Sequence, residues 1–460
     1  MITLHSSCSW RKVNGIFHAL VDNKRKVGII RWMLLLFLIL LDYNPQTLTV
    51  PPFKHTFGFY RASKYYLQLF LGPNYDYNDP QGIAAVKLEE LDDPETHRDD
   101  DELAVFAVNS GVGQIVYNIG LTSVKAYGDT NAFSEPKGIA AGVGGLVAVA
   151  DFGNRRVVKL RYHAGELKQL AEISIPGRPF GVCLDSEDNL YVTDFDNSRI
   201  YVFSPDDSLM FQFGVEGRAQ GEIYQPMGIA VIDAKAPDNF EKDDFLVVTD
   251  NYGTRISKFS RNGRFMGSVQ SYDLGLVEGH FLYAAIDYYG SIYITDEANN
   301  QIHKFDRNLT YIISVGRTGT GGGEFLSPRG ISIWRKFGQV FISEQRGGQY
   351  LWLAVDGFVV GCFPEVFNSE RPGTTLAIYL TDDARVYITI TNQRGEQVRD
   401  FIEGVRRTPG EYLIVWDGRD DNNILVPPGE YVFHIRLKGL HGHGRRINKL
   451  MKAGVTCVAI

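Results

Sequence analysis

The chain has 460 residues, 44% of them hydrophobic and 12% aromatic, with 48 glycines and a formal net charge of −7. That length and apolar content suit two or three globular domains with cores of their own, and the acidic balance argues against a general nucleic-acid binder. Four scattered cysteines (Cys8, Cys183, Cys362 and Cys457) show no Cys-x-x-Cys spacing, which excludes a zinc ribbon or RING-type module.

In chain order, the first feature is a basic flank, Lys24, Arg25, Lys26 and Arg31, ahead of the apolar run 32–41 (WMLLLFLILL). The run is long enough for a signal-peptide core and short for a spanning helix. Residues 1–42 are therefore expected to be a leader, acting as a signal peptide or as an uncleaved signal anchor. Residues 43–63, with Pro45, Pro51 and Pro52, read as a linker, and 65–71 (YYLQLFL) reads as a strand. The stretch 89–102 carries nine acidic residues and is expected to be a solvated loop, with a calcium or basic-partner site as the alternative.

A repeat follows. Residues 179–203 (PFGVCLDSEDNLYVTDFDNSRIYVF) read as strand, turn, strand, turn, strand, each strand only a few residues long. The second turn recurs as Asp151, Asn154 and Arg156, as Asp194, Asn197 and Arg199, as Asp250 with Arg255, and as Asp296 with Asn299. Looser copies begin at Asn109 and Glu344. The six first positions lie 42, 43, 56, 46 and 48 residues apart. Upstream of most copies stands Pro-x-Gly, at Pro80, Pro136, Pro179, Pro226 and Pro328; in the fifth copy Leu282-Tyr-Ala-Ala replaces it. Six copies of short strands at this period predict a six-bladed β-propeller.

The register of Pro-x-Gly-Ile-Ala, Leu-Tyr-Val-Thr-Asp and Asn-x-Arg-Ile resembles the NHL-repeat propellers over residues 64–364. The repeated Asp, Asn and Arg residues read as scaffold, since Asp and Asn bond the N–H groups of their own turns. The strand at 65–71 is a candidate to close the ring by completing the last blade, in competition with 358–363 (FVVGCF).

Beyond a hinge at 365–375, residues 376–460 read as a small β-sandwich with strands at 385–391, 398–402, 412–416, 427–435 and 447–460. Trp416-Asp417-Gly418 followed by Gly429-x-Tyr431 resembles the Ig-like domain of flagellar hook-capping (FlgD-like) proteins and of some surface-sorting domains. Trp416 is expected to fill the core, Asp417 to cap its turn, and Gly418 to supply a permissive backbone. Residues 446–452 also resemble the terminal strand of sorting domains. His434, His441 and His443 surround a glycine-rich hairpin, readable as a solvated loop or a metal site.

The fold class is thus all-β, a six-bladed NHL-like propeller followed by an Ig-like sandwich. The x-positions of Pro-x-Gly enter the innermost strands and are the candidate ligand rim: Gln81, Lys137, Phe180, Met227, Tyr283 (by alignment) and Arg329. Their mixed chemistry suits a protein, peptide or glycan partner. The expected function is a non-catalytic binding scaffold, exported to the cell envelope, monomeric, without a cofactor or nucleic-acid partner. The alternative is a metal-dependent hydrolase or lyase, with RNA binding, which some members of the repeat family imply, a lesser one that the acidic balance and export signal oppose. Related six-bladed propellers imply the hydrolase or lyase reading, holding calcium or zinc in the channel. His163, His280 and His303 share no register, however, and Asp185, Asp233 and Asp287 read as strand-ending turns.

Overall fold

The computed structural model describes residues 45–51, 61–92, 103–119, 123–129 and 132–459. The leader, and residues 93–102 of the acidic loop with His97, lie outside the described residues. No helix among the described residues is long and apolar enough to cross a membrane.

Five sheets of four antiparallel strands follow one another, each laid down in chain order. Their first strands are Pro80–Lys87, Pro136–Ala141, Pro179–Leu184, Ile229–Ile232 and Phe281–Ile286, which open blades 1 to 5. These innermost strands pack side by side around a central channel. Second strands such as Leu146–Asp151 and Phe245–Asp250 are buried along their whole length, while the fourth strand Leu209–Phe213 is largely exposed. Each blade buries its faces against its neighbours, so a blade has no core until it is stacked.

Blade 6 supplies three strands of its own, Pro328–Trp334, Gln339–Glu344 and Gly347–Leu353. Its outer strand comes from the start of the described chain. Leu48–Thr49 pairs with the Leu353 end of Gly347–Leu353, and Arg61–Ser63 pairs with its Gly347 end. The ring is therefore closed by the N-terminal segment, but not by residues 65–71. Those form the helix Lys64–Leu71, capped by Ser63, whose hydroxyl accepts the Tyr66 N–H at 3.3 Å. Tyr66, Leu67, Phe70 and Leu71 make a helical stripe against blade 1, while Tyr65 and Leu69 face solvent. Nor do residues 358–363 serve as the outer strand. Gly357–Phe363 pairs with Thr374–Leu380 in the second domain.

That domain is a sandwich. One sheet holds Gly357–Phe363, Thr374–Leu380 and Gly410–Trp416; the other holds Val366–Phe367, Asn448–Cys457, Gly429–Gly439, Ala384–Asn392 and Gln397–Arg407. Trp416 is fully buried in its core, edge-on to Phe367, Tyr431 and Phe433, with its indole N–H donating to Arg419 O at 2.8 Å. Asp417 accepts the Arg419 N–H, and Gly418 takes a φ of +73°, where a side chain is strained. Tyr431 donates to Pro427 O at 2.7 Å. Gly429 meets nothing within 4 Å of where a Cβ would stand, so packing does not demand glycine there.

The sandwich is seated on the propeller. Lys304 of blade 5 pairs with Asp382, and Tyr379 donates to Ile312 O. Arg406 lies over Phe240 at 4.5 Å, on the polar insertion of blade 4, and reaches Asp383 and Glu241. His441 stacks on Tyr288 (3.4 Å, 6°) with Nε2 2.6 Å from Arg335 O, and His443 lies against Trp352 and Phe337. The histidines expected in a solvated loop or a metal site thus split up. Two are docking contacts, and His434 bonds Thr391 on the far side of the sheet.

Candidate functional site

The channel has two unlike ends. At the Pro-x-Gly end the blades touch backbone to backbone. A Cβ added at Gly82 would stand 2.7 Å from Lys137 O, and one at Gly138 2.6 Å from Phe180 O; Gly181, Gly228 and Gly330 face Met227, Leu282 and Gln81 in the same way. Only glycine permits that approach. A hydroxyl of the next strand reinforces it. Thr193 Oγ1 accepts the Gly181 N–H and donates to Met227 O, both at 2.7 Å, and Thr249 bonds Gly228 and Leu282 likewise.

Blade 5 breaks the pattern. Phe281 pairs with Asp296 as Pro179 does with Asp194, and Thr295 accepts the Tyr283 N–H as Thr193 accepts that of Gly181. Leu282 therefore holds the x-position, and Tyr283 stands where the other blades have glycine, one residue from its expected place. Its side chain crosses the channel mouth. The phenol donates toward Gln81 Oε1 at 3.1 Å and Lys137 O at 3.2 Å, and the ring packs on Phe180 at 5.7 Å. Burial pushes the Tyr283 phenol well above its ordinary pKa.

The expected rim is thus a plug. Gln81, Phe180, Met227 and Tyr283 are all buried. Lys137 and Arg329 are half-buried above them. Arg329 is held by Asp79 and by Glu297 at 3.0 Å, and Lys137 Nζ lies 3.7 Å from Asp79. Burial disfavours the charge on Asp79 and Glu297, but Arg329 with Lys137, and Arg329 with His280, hold the two carboxyls below their usual range.

The repeated acids stitch this face together. Asp151, Asp194, Asp250 and Asp296 accept backbone N–H groups of the incoming loops, from Ser134 (2.7 Å), Gly177 (2.9 Å), Tyr224 (3.2 Å) and His280 (3.1 Å). Asn154, Asn197 and Asn299 bond their own Asp, and Arg156 and Arg255 pair with Asp151 and Asp250. Arg199 stands opposite Asp194 in the same register.

At the other end a cavity of about 300 Å³ opens on the side that carries the sandwich. Its walls begin at the residues just past the plug, including Ile83, Ile139 and Val182, so it is blind. Arg335 spans the mouth, donating to Ile286 O at 3.0 Å and Val231 O at 2.8 Å. Asp185, Asp233 and Asp287 cap their own turns. Asp185 accepts the N–H groups of Glu187 and Asn189, Asp233 those of Lys235 and Ala236, and Asp287 those of Tyr289 and Ser291. Asp188 and Asp238 also line the mouth, and burial raises both carboxyls. Burial lifts the Cys183 thiol well above its usual range.

His163 lies beside Glu90, His280 beside Glu297, and His303 between Asp296 and Ser314, so the repeat histidines never meet. Among the described residues no three His, Cys, Asp or Glu side chains are placed to hold a metal ion. Sequence reasoning missed Arg335, Lys304 and Asp382; no motif marks Arg335 or Asp382, whereas Lys304 repeats the position of Lys159 and Lys258.

Three family models match parts of the chain: an NHL repeat over residues 177–203, a 6-bladed beta-propeller over 283–355 and a FlgD Ig-like domain over 366–439. The first two fall within the stretch read as repeats, and the third begins at 366, inside the stretch 365–375 read as a hinge. No curated protein matches the chain. Solved structures resemble it distantly. A virginiamycin B lyase from Staphylococcus aureus is 16% identical, covering 54% of this chain and 77% of that one, with a TM-score of 0.39. A gluconolactonase from Xanthomonas campestris is 16% identical, covering 64% and 94%, at 0.43. PorZ, a surface component of the type-IX secretion system of Porphyromonas gingivalis, is 11% identical, covering 77% and 58%, at 0.36.

Proposed function

We propose that this chain is an exported binding module of the cell envelope that recognises a protein, peptide or glycan partner without covalent chemistry. The observation that carries the reading is that the channel's chemistry is already committed. Asp185, Asp233 and Asp287 are taken up by turn N–H groups, and the Pro-x-Gly end is closed by Tyr283. A carboxylate spent on its own backbone is a poor general base. What the fold leaves to a partner is the closed face around the plug. There Lys137 and Arg329 stand with Asp79 and Glu297, Arg178 pairs with Asp196 over Phe152, and Tyr252 is half exposed beside Tyr224. Mixed charge with exposed aromatic rings suits polar, shape-led recognition better than a polyanion. The basic flank with the apolar run 32–41 and the match to a FlgD Ig-like domain support an envelope location; the reading takes the chain as a monomer without a cofactor.

The test offers envelope glycans and exported proteins to the wild type and to an Arg178→Glu/Tyr252→Ala variant. At least a tenfold loss of the captured partner is expected; equal capture by both would sink the reading. A second reading, a metal-dependent hydrolase or lyase, is favoured by Asp188 and Asp238, carboxyls lifted by burial at the mouth of a blind cavity. Stoichiometric calcium or zinc in protein purified without chelators, lost in Asp188→Asn/Asp238→Asn, would put that reading first.

A further inference from the structure

Blade 1 departs from the other blades on the face it turns toward blade 6. On the second strand, two residues before the repeat's Asp, Asn or Glu, the other five blades carry Val149, Val192, Val248, Ile294 and Ile342, all buried; blade 1 carries Ala107. On the third strand, the register that pairs Val147 with Leu160 and Leu246 with Phe259 places Leu160, Phe203, Phe259, Phe305 and Leu351 at one position. Blade 1 has Asn118 there, paired with Val105. A branched chain has become a methyl, and a large apolar chain an amide, on the same wall of the same wedge.

The result is a cavity of about 150 Å³ at the seam of the ring. Ala107, Val105 and Val116 wall it on blade 1, Phe341 and Tyr350 on blade 6, and Tyr66 and Leu67 of the helix Lys64–Leu71 cover it. Val105 and Ala107 keep solvent contact through it, whereas their counterparts in the other blades have almost none. The lining is mostly apolar, with Tyr77, Ser343 and Gln349 among its polar side chains. Within it the Asn118 carbonyl oxygen is buried with no hydrogen-bond partner among the described residues. A buried acceptor without a donor is costly, and native chains rarely keep one without a use for it. A cavity of this size has room for a benzene-sized guest.

We propose that the seam between blades 6 and 1 is a binding cavity for a small, flat, apolar molecule that carries one hydrogen-bond donor, of the size of indole or phenol. The apolar walls supply the affinity and Asn118 Oδ1 the selectivity. The site is separate from the partner face around Tyr283 and stands whether or not that reading holds.

Titration calorimetry of the full chain with indole and with indene, its isostere without the N–H, tests this. One indole binds, roughly tenfold tighter than indene, because only indole satisfies Asn118. Asn118→Leu removes the preference. Ala107→Ile restores the side chain of blades 5 and 6, fills the cavity, raises Tm and abolishes binding of both probes. No indole binding to the wild type, or unchanged affinities in both variants, would overturn the proposal.

Discussion

Lys159, Lys258 and Lys304 hold one position on the third strands of blades 2, 4 and 5, three residues beyond Arg156, Arg255 and Gln301. The first two reach the outer turn of the following blade. Lys159 Nζ donates to Pro205 O at 2.9 Å and pairs with Asp207, and Lys258 donates to Arg307 O while lying over the Phe245 ring at 3.8 Å. Lys304 pairs instead with Asp382 of the sandwich. The joint between the domains is therefore built like one more joint between blades, with a carboxylate from another fold in the place of a propeller turn. A device the repeat already carried fixes the second domain, and among the described residues the sandwich makes no contact with the end of the ring around Tyr283.

The largest expected effect separates those two kinds of joint. Lys304→Ala leaves Asp382 buried without its cation and should cost docking about 3–5 kcal/mol. Lys258→Ala strips a neutral carbonyl and a cation–π contact, costs about 1–3 kcal/mol, and acts on the ring. Amide exchange at His443, whose N–H donates to Phe337 O at 2.9 Å across the interface, reports docking by itself. Lys304→Ala should deprotect it and Lys258→Ala should not; the double variant Lys304→Met/Asp382→Leu should restore most of the protection. If both single variants leave His443 equally protected, the equivalence of the joints is wrong.

The buried carboxylate of Asp382 also makes the interdomain joint sensitive to pH. Burial pushes the Asp382 carboxyl up to about 7 against the pull of Lys304, with Asp287 raising it further and Asp383 also facing Lys304. Docked, the group binds its proton more tightly than when free, near pH 4. Docking therefore strengthens as pH falls from about 7 toward 4 and weakens as pH rises through 7, by on the order of 1–3 kcal/mol over that window. Burial depresses the His441 pKa, which has the opposite sign below about 6.5, so the measurement is the difference between wild type and Asp382→Asn. A difference in His443 protection that stays flat across the window would assign the coupling elsewhere.

Blades 2 to 5 and the sandwich strands were readable because local turn chemistry repeats in the chain, and their hydrogen bonds close within a few residues. Asp194 to Asn197 is such a case. What failed to show depended on contacts between distant segments. Residues 65–71 look like a strand until Ser63 is seen to cap a helix. Tyr283 could not be placed on the channel axis because the fifth copy lacks both Pro and Gly, and only the pairing of Phe281 with Asp296 fixes its register. The x-positions were expected to surround an opening, yet the glycines beside them draw the blades so close that a single tyrosine fills the gap. His441 and Asp382 carry no local signature, since each finds its partner roughly a hundred residues away.

The smallest effect sharpens the comparison from the other side. His441 holds the sandwich by stacking on Tyr288 and by Nε2 against Arg335 O. A carbonyl only accepts, so Nε2 carries the proton, and the neutral ring that burial favours already has the donor it needs. One stacked ring and one hydrogen bond amount to about 1–2 kcal/mol. Arg335 keeps its own bonds to Ile286 O and Val231 O, so His441→Ala should weaken docking while leaving the three blades those bonds join undisturbed. The expected outcome is faster exchange at the His443 amide with unchanged exchange in Phe281–Ile286 and Ile229–Ile232. Loss of protection in those strands as well would mean that the sandwich holds the propeller ring together, in addition to sitting on it.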